Sequence, residues 1–208
     1  MTIGPDIAEA LEEVGLAFTI LRDTGNVEGE YLDITPPTQV GRPFMREFFS
    51  EIMLSYETVV ISGDVIELDT SGEHFLLMNK TPDMFENEVI KYDGILYKAN
   101  VSGELFRPSG QADWSSSTYH KTEIFNSIKS NCYATLVPST GGGQIDTEEA
   151  IGLISIEKQE LYIPSSIGVK LLDRYQSRSG EYYRVESVIK RRYPNIDLAI
   201  LGEDTRQS

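Results

Sequence analysis

Apolar residues near the N-terminus recur at Ile7, Leu11 and Val14, the spacing of one helical face. The spacing predicts a short amphipathic helix over Pro5–Val14, with Pro5 suited to its first turn and Gly15 placed to end it. The acidic residues Asp6, Glu9, Glu12 and Glu13 lie along it. Leu16–Arg22 then reads as a strand. The turn residues of Asp23–Gly29, with Gly25-Asn26 among them, predict a hairpin returning through Glu30–Ile34. Pro36-Pro37 starts a linker. Over Arg42–Tyr56, Phe44, Phe48 and Ile52 repeat every four residues, with Met45, Phe49 and Met53 beside them. That stripe predicts a second helix, packed on a sheet or facing a neighbouring subunit.

Beyond Glu57 the pattern turns to short apolar runs: Thr58–Ile61, Val65–Leu68, His74–Met78, Glu88–Tyr92 and Ile95–Val101, punctuated by Gly63, Gly72, Gly94 and Gly103. Arg107–Thr118 reads as a polar loop and Lys121–Leu136 as helix or strand. After the Ser139–Gly143 tract the strand signal resumes over Ile151–Ile156, Leu161–Ile163, Val169–Leu172, Tyr182–Ile189 and Ile196–Leu201. Short strands at such spacing predict a mainly β chain with some helix, a small β-barrel or sandwich core carrying an N-terminal helical element. Two regions suggest themselves, 1–136 and 144–208, as separate modules or one interwoven domain. An internal echo joins them. VIELD and VKLLD each run into a polar turn with Ser-Gly-Glu, at 71–73 and 179–181, then an aromatic and an apolar strand. Either Ser-Gly-Glu is simply a common turn, or the two are related β-modules.

Charge sharpens this picture. The 208 residues carry a formal net charge of −15. Residues 1–110 hold 20 acidic and 7 basic side chains, residues 111–208 hold 13 and 11, so the excess is N-terminal. Such acidity argues against a broad basic surface for nucleic acid, although negative walls suit a channel through which DNA passes without sticking. No run of eighteen apolar residues and no secretory leader stands in the sequence, and the single Cys132 allows no internal disulfide and no Cys-rich metal site. These features predict a cytosolic product, or part of something assembled in a cytosol.

Candidate chemistry is sparse. His74 lies in a predicted strand and His120 in a polar loop, and neither belongs to a paired-His metal motif. A Cys132–His120 dyad is conceivable, with an inert buried thiol the default. Gly141-Gly142-Gly143 precedes Gln144-Ile145-Asp146 and so lacks the lysine of a phosphate loop. Asp64, Glu67 and Asp69 lack the spacing of a calcium loop and read as a solvated strand edge. Lys190-Arg191-Arg192, the one basic cluster, reads as a solvated strand end or a contact to an acidic partner, with Glu186 and Asp197 available to pair with it. The expected inventory is therefore no catalytic, cofactor-binding or metal-binding residue, no cofactor, and no enzyme.

Three groups of segments resemble the head–tail connector proteins of tailed bacteriophages, the neck or head-closure components. They are Gly41–Ser50 with Gly63–Leu68; Phe75–Glu88 with Tyr92–Asn100 and Gly103–Pro108; and Tyr182–Ser187 with Lys190–Pro194 and Leu201–Arg206. The resemblance implies a small β-barrel virion protein, assembled in the host bacterial cytoplasm. It would form a multi-copy homo-oligomeric ring that joins the capsid portal to the tail and lines the DNA channel. Its partners would be a portal or adaptor protein and tail proteins, with DNA passing unread, no membrane and no catalytic residue. The chain is longer than the smallest head-closure proteins, and the resemblance does not place its N-terminal helix and hairpin. An adaptor or a tail-completion protein therefore stays open. Two other classes also stay open: a β-barrel enzyme or ligand-binding protein using carboxylates such as Asp64 and Glu67, and a transient assembly factor.

Overall fold

The computed structural model describes residues 3–35, 49–114, 121–138 and 159–206. A single α-helix opens it, α1 (Ile3–Val14), ended at Gly15, whose N–H reaches back to the Leu11 carbonyl (2.8 Å). Leu11 is buried and Ile7 half-buried, but Val14 stands exposed, so the predicted apolar face covers the core with its first two residues only.

Among the described residues twelve strands follow and close into two barrels of six. The first comprises β1 (Leu16–Leu21), β2 (Val27–Thr35), β3 (Phe49–Ser55), β4 (Val65–Leu68), β5 (His74–Phe85) and β6 (Glu88–Lys98), in the ring order β1-β2-β3-β6-β5-β4. The second comprises β7 (Val101–Trp114), β8 (Lys121–Pro138), β9 (Gln159–Pro164), β10 (Arg174–Ser177), β11 (Tyr182–Tyr193) and β12 (Ile196–Glu203), in the order β7-β8-β9-β12-β11-β10. The two orders are the same order. All neighbours are antiparallel, and β4 on β1 and β10 on β7 close the rings. A mainly β chain with an N-terminal helix is thus what the sequence folds into.

Inward-facing residues fill each barrel. Phe18, Ile20, Leu32, Ile52, Leu54, Ile66 and Leu77 pack the first, and Leu105, Leu161, Ile163, Tyr175, Val185 and Leu201 the second. A third apolar cluster seals barrel to barrel: Val65, Leu76 and Met78 against Val137, Tyr162, Ile196 and Leu198. On its flank the Tyr97 and Tyr162 rings meet edge to face (centroids 5.7 Å apart), and His74 stacks on Tyr133 (3.8 Å, 9° between planes).

Several expectations are corrected. Residues 49–55 form strand β3, with Ile52 and Leu54 alternating into the core, not the end of a helix. A period of four also satisfies a period of two, and long-range pairing with β6 decides between them. Positions 42–48, with Phe44, Met45 and Phe48, lie outside the described residues, as do Pro36-Pro37, Ser139–Gly143, Ile151–Ile156 and His120. Thr58–Ile61 and Val169–Leu172 are not strands: the first is irregular chain before the Ser62-Gly63 turn, and the second is irregular chain ending in the Leu171-Leu172 turn, ahead of β4 and β10. Most of the expected polar loop, 107–114, belongs to β7, and Lys121–Leu136 lies within strand β8. The expected boundary at 136–144 is displaced: the passage from one barrel to the other is Ala99-Asn100, and residues 101–138 belong to the second.

Candidate functional site

Two buried aspartates hold corresponding turns. In the first barrel Arg22 follows the end of β1 and grips Asp64, its Nε donating to Oδ1 (2.9 Å) and its Nη2 to Oδ2. Arg22 Nη2 also donates to the Val59 carbonyl (3.0 Å), and Asp64 Oδ2 accepts the Ile61 N–H (2.9 Å). In the second barrel Arg107 Nε and Nη2 donate to Asp173 Oδ1 and Oδ2 (2.9 and 2.8 Å). Arg107 Nη2 donates to the Gly168 carbonyl (2.8 Å), and Asp173 Oδ2 accepts the Lys170 N–H (2.8 Å). The planar fork of arginine suits such bidentate pairing. Register confirms the equivalence, because Leu21 faces Val65 as Phe106 faces Arg174. The Gly63 and Leu172 N–H groups then donate to the Leu77 and Val185 carbonyls (2.8 and 2.9 Å).

The chain therefore contains one barrel twice, and the Ser-Gly-Glu echo marks it in phase: the turns after β4 and β10 are equivalent. The phase of the apolar part of the echo is corrected. VKLLD (169–173) matches not VIELD but VISGD (60–64), with Val60 and Val169 both buried and Asp64 matching Asp173.

The expected solvated edge of Asp64, Glu67 and Asp69 is likewise corrected, because Asp64 is buried under Arg22. The three do not converge on one site: Glu67 Oε2 lies 3.6 Å from His74 Nε2, and Asp69 accepts from Thr19 (2.9 Å). Cys132 is buried at the wall of a cleft of about 620 Å³ between the barrels, shared with Arg22, Asp64, Lys129 and Tyr133. Burial pushes its thiol up to about 12, only partly opposed by the Lys129 charge, so the reactive thiolate is scarce. Lys129 is paired with Asp23 across the cleft mouth. No group of three metal-capable side chains occurs among the described residues.

No family model matches this chain, and no curated protein and no solved structure matches it either. What the chain can do is accordingly argued from its own geometry.

A charge network that the sequence does not announce ties β10 to the chain that follows β12. Arg174 Nε and Arg206 Nη2 both donate to Asp204 Oδ2 (2.7 and 2.8 Å). Arg174 also lies over the Phe125 ring (3.8 Å) and donates to the Arg206 carbonyl (2.7 Å). Burial alone would raise the Asp204 carboxyl, but hydrogen bonds from Arg206 and Arg174 hold it well below the usual range. Its members are 30 and 32 residues apart, a distance at which a sequence carries no pairing signal.

The basic cluster divides. Lys190 Nζ stands 3.8 Å from Asp197, as expected, but Glu186 pairs with Arg184 instead, and Arg191 and Arg192 are exposed. The surface also shows apolar side chains at turns: Met84 and Phe85 beside the β5–β6 turn, about half exposed, and Leu171 and Leu172 in the turn before β10, 60% and 49% exposed.

Proposed function

We propose that this protein is a structural component of a tailed-bacteriophage neck, building a multi-copy ring between capsid portal and tail around the DNA channel. The observation that carries the reading is the division of labour among its side chains. The buried charges Asp64, Asp173 and Asp204 are each engaged by an arginine that fixes a turn or a chain end. Exposed apolar pairs meanwhile stand on turns, at Met84-Phe85 and Leu171-Leu172. Rigid small barrels that display apolar turns are suited to fitting neighbours. A net charge of −15 suits a wall past which DNA slides, since phosphates are repelled and not bound. Resemblance of the segments around Gly63–Leu68, Phe75–Glu88 and Tyr182–Ser187 to connector proteins supports the same reading.

Mass spectrometry and cryo-electron microscopy of purified particles test it. The expected result is the chain in stoichiometric, multi-copy amount at the portal–tail junction. Its absence from finished particles would point instead to a transient assembly factor. Turnover of a substrate by the isolated chain, stopped by a change at Asp64 or Glu67, would overturn the structural reading altogether.

A further inference from the structure

Equivalent faces of the two barrels are covered by different things. On the first barrel, Val65 and Leu76 pack against the second barrel, and the Asn195 backbone closes over Gly63. The linker into the second barrel starts at Ala99, whose N–H donates to the His74 carbonyl (2.8 Å). His74 in turn stacks on Tyr133 of the second barrel.

Register carries each of these positions onto the second barrel. Leu21 faces Val65 as Phe106 faces Arg174, and Val65 faces Leu76 as Arg174 faces Arg184. Phe75 faces Lys98 as Tyr183 faces Glu203, so the residue equivalent to Ala99 is Asp204. The Asp204 N–H donates to the Tyr182 carbonyl (3.1 Å), the equivalent of the bond from Ala99 to His74. Asp204–Arg206 therefore leaves the second barrel by the path along which the linker leaves the first.

On that path the segment covers what a neighbouring barrel covers on the first. Arg174, in the place of Val65, is only 3% exposed. It donates to the Asp204 carboxylate and to the Arg206 carbonyl (both 2.7 Å) and lies over the Phe125 ring. Arg206 Nη1 donates to the carbonyl of Leu172, the residue in the place of Gly63 (2.9 Å). Arg184, in the place of Leu76, is paired with Glu186. A buried guanidinium needs an anion and a carbonyl beside it, and the segment supplies both. Valine and leucine at these positions receive a barrel; arginine receives the segment.

We propose that Asp204–Arg206 is a built-in cap, which closes the junction face of the second barrel against a further copy of this chain. Stacked structural repeats need such a polar cover where the stacking stops. The cap goes beyond the neck reading and is a property of the isolated chain. Any contact between copies then runs through other surfaces.

Two variants of the full chain test it, by hydrogen exchange and by sedimentation velocity over rising protein concentration. Arg174→Val restores the side chain found at position 65 and takes away the arginine on which Asp204 rests. Asp204→Ser combined with Arg206→Ser frees the segment and leaves β10 as it is. In both, the amide at position 204 exchanges at least about tenfold faster, while Leu105 and Leu161 keep their protection. Both also self-associate with a constant at least about tenfold above that of wild type. Variants with the segment freed and the barrel intact that associate no more than wild type would overturn the cap and leave the segment a mere fastening. An amide at position 204 unchanged in both would overturn it too, because something else would then hold the segment. If Arg174→Val alone loses protection at Leu105, the double variant decides. Loss at Leu105 in both would make the segment part of the barrel wall and likewise overturn the cap. None of these outcomes bears on whether the chain occurs in particles, so the neck reading stands or falls separately.

Discussion

The Gly63 Cα lies beneath the Asn195 carbonyl, and the barrels meet there without a side chain between them. Asn195 accepts the Ser165 N–H through the same oxygen (3.0 Å), so the contact is braced from the second barrel. A Cβ at position 63 would collide with backbone, and φ 91° would strain any L-residue besides. Gly63→Ala is therefore expected to cost about 1–3 kcal/mol through the junction alone. Hydrogen exchange reads this locally: amides of Ser165 and Ile196 exchange faster, while Leu105 and Val185 inside the second barrel keep their protection. Unchanged exchange at Ser165 would show that the junction does not rest on this contact.

Asp173 is essentially shielded from water, and its removal strands Arg107 and the Lys170 N–H together. Breaking a buried pair from one side costs about 3–5 kcal/mol, and the partial exposure of Arg107 lowers that to about 2–3 for Asp173→Ala. Asp64→Ala does the equivalent damage to the first barrel. The two clamps share no partner, so the losses are expected to add in the double variant to within about 0.5 kcal/mol. Denaturant titration of both singles and the double checks this. A double variant no worse than either single would show that one clamp alone supports both barrels.

Some of this architecture was legible in the chain and some was not, and the divide follows sequence distance. The β1–β2 hairpin shows itself because Gly25-Asn26 separates two apolar runs and the partners are neighbours. The Ser-Gly-Glu echo is visible because a tight turn writes its own composition. Barrel closure is not, since the last pairings, Phe18 with Leu68 and Arg174 with Phe106, join segments 50 and 68 positions apart. Neither are the clamps, as Arg22 and Arg107 lie 42 and 66 residues from their aspartates. The repeat shows in the sequence through Asp64 and Asp173, each shortly before its Ser-Gly-Glu, and not through the hydrophobic letters, which many strands share. Phe49–Ser55 misleads for another reason. Its apolar residues satisfy helix and strand periods alike, and only its partner β6, some forty residues on, selects the strand.

Asp204 makes the second barrel acid-sensitive. Its folded carboxyl is held below the unfolded value, so the folded state binds fewer protons wherever the two differ. The stability it contributes is complete above the usual carboxylate range near about 4 and is lost as pH falls through and below it. Asp204→Asn should lower the melting temperature at neutral pH, flatten its decline below about pH 4, and release Arg174 and Arg206 from their shared oxygen. Melting curves across that range settle the matter, and an unchanged acid slope in the variant would remove Asp204 as its source.

Asp197 carries the opposite sign. Its side chain is buried, and among the described residues Oδ2 has no hydrogen-bond partner and is paired with one cation, Lys190, 3.8 Å away on an exposed stem. Burial lifts the carboxyl above its ordinary value and Lys190 only partly restores it. The folded state therefore holds a proton that the unfolded chain has already released. Stability from this residue is present below the ordinary carboxylate value and is lost as pH rises through the raised one. Asp197→Asn replaces the poorly compensated charge with a neutral group of the same shape, so it should raise the melting temperature at neutral pH and leave it nearly unchanged at about pH 3. Lys190→Ala should act the other way, lowering it at neutral pH by removing the one compensating charge. If Asp197→Asn instead destabilised the protein at neutral pH as much as in acid, the carboxylate would be holding the β12 edge through contacts that its charge makes and its shape does not.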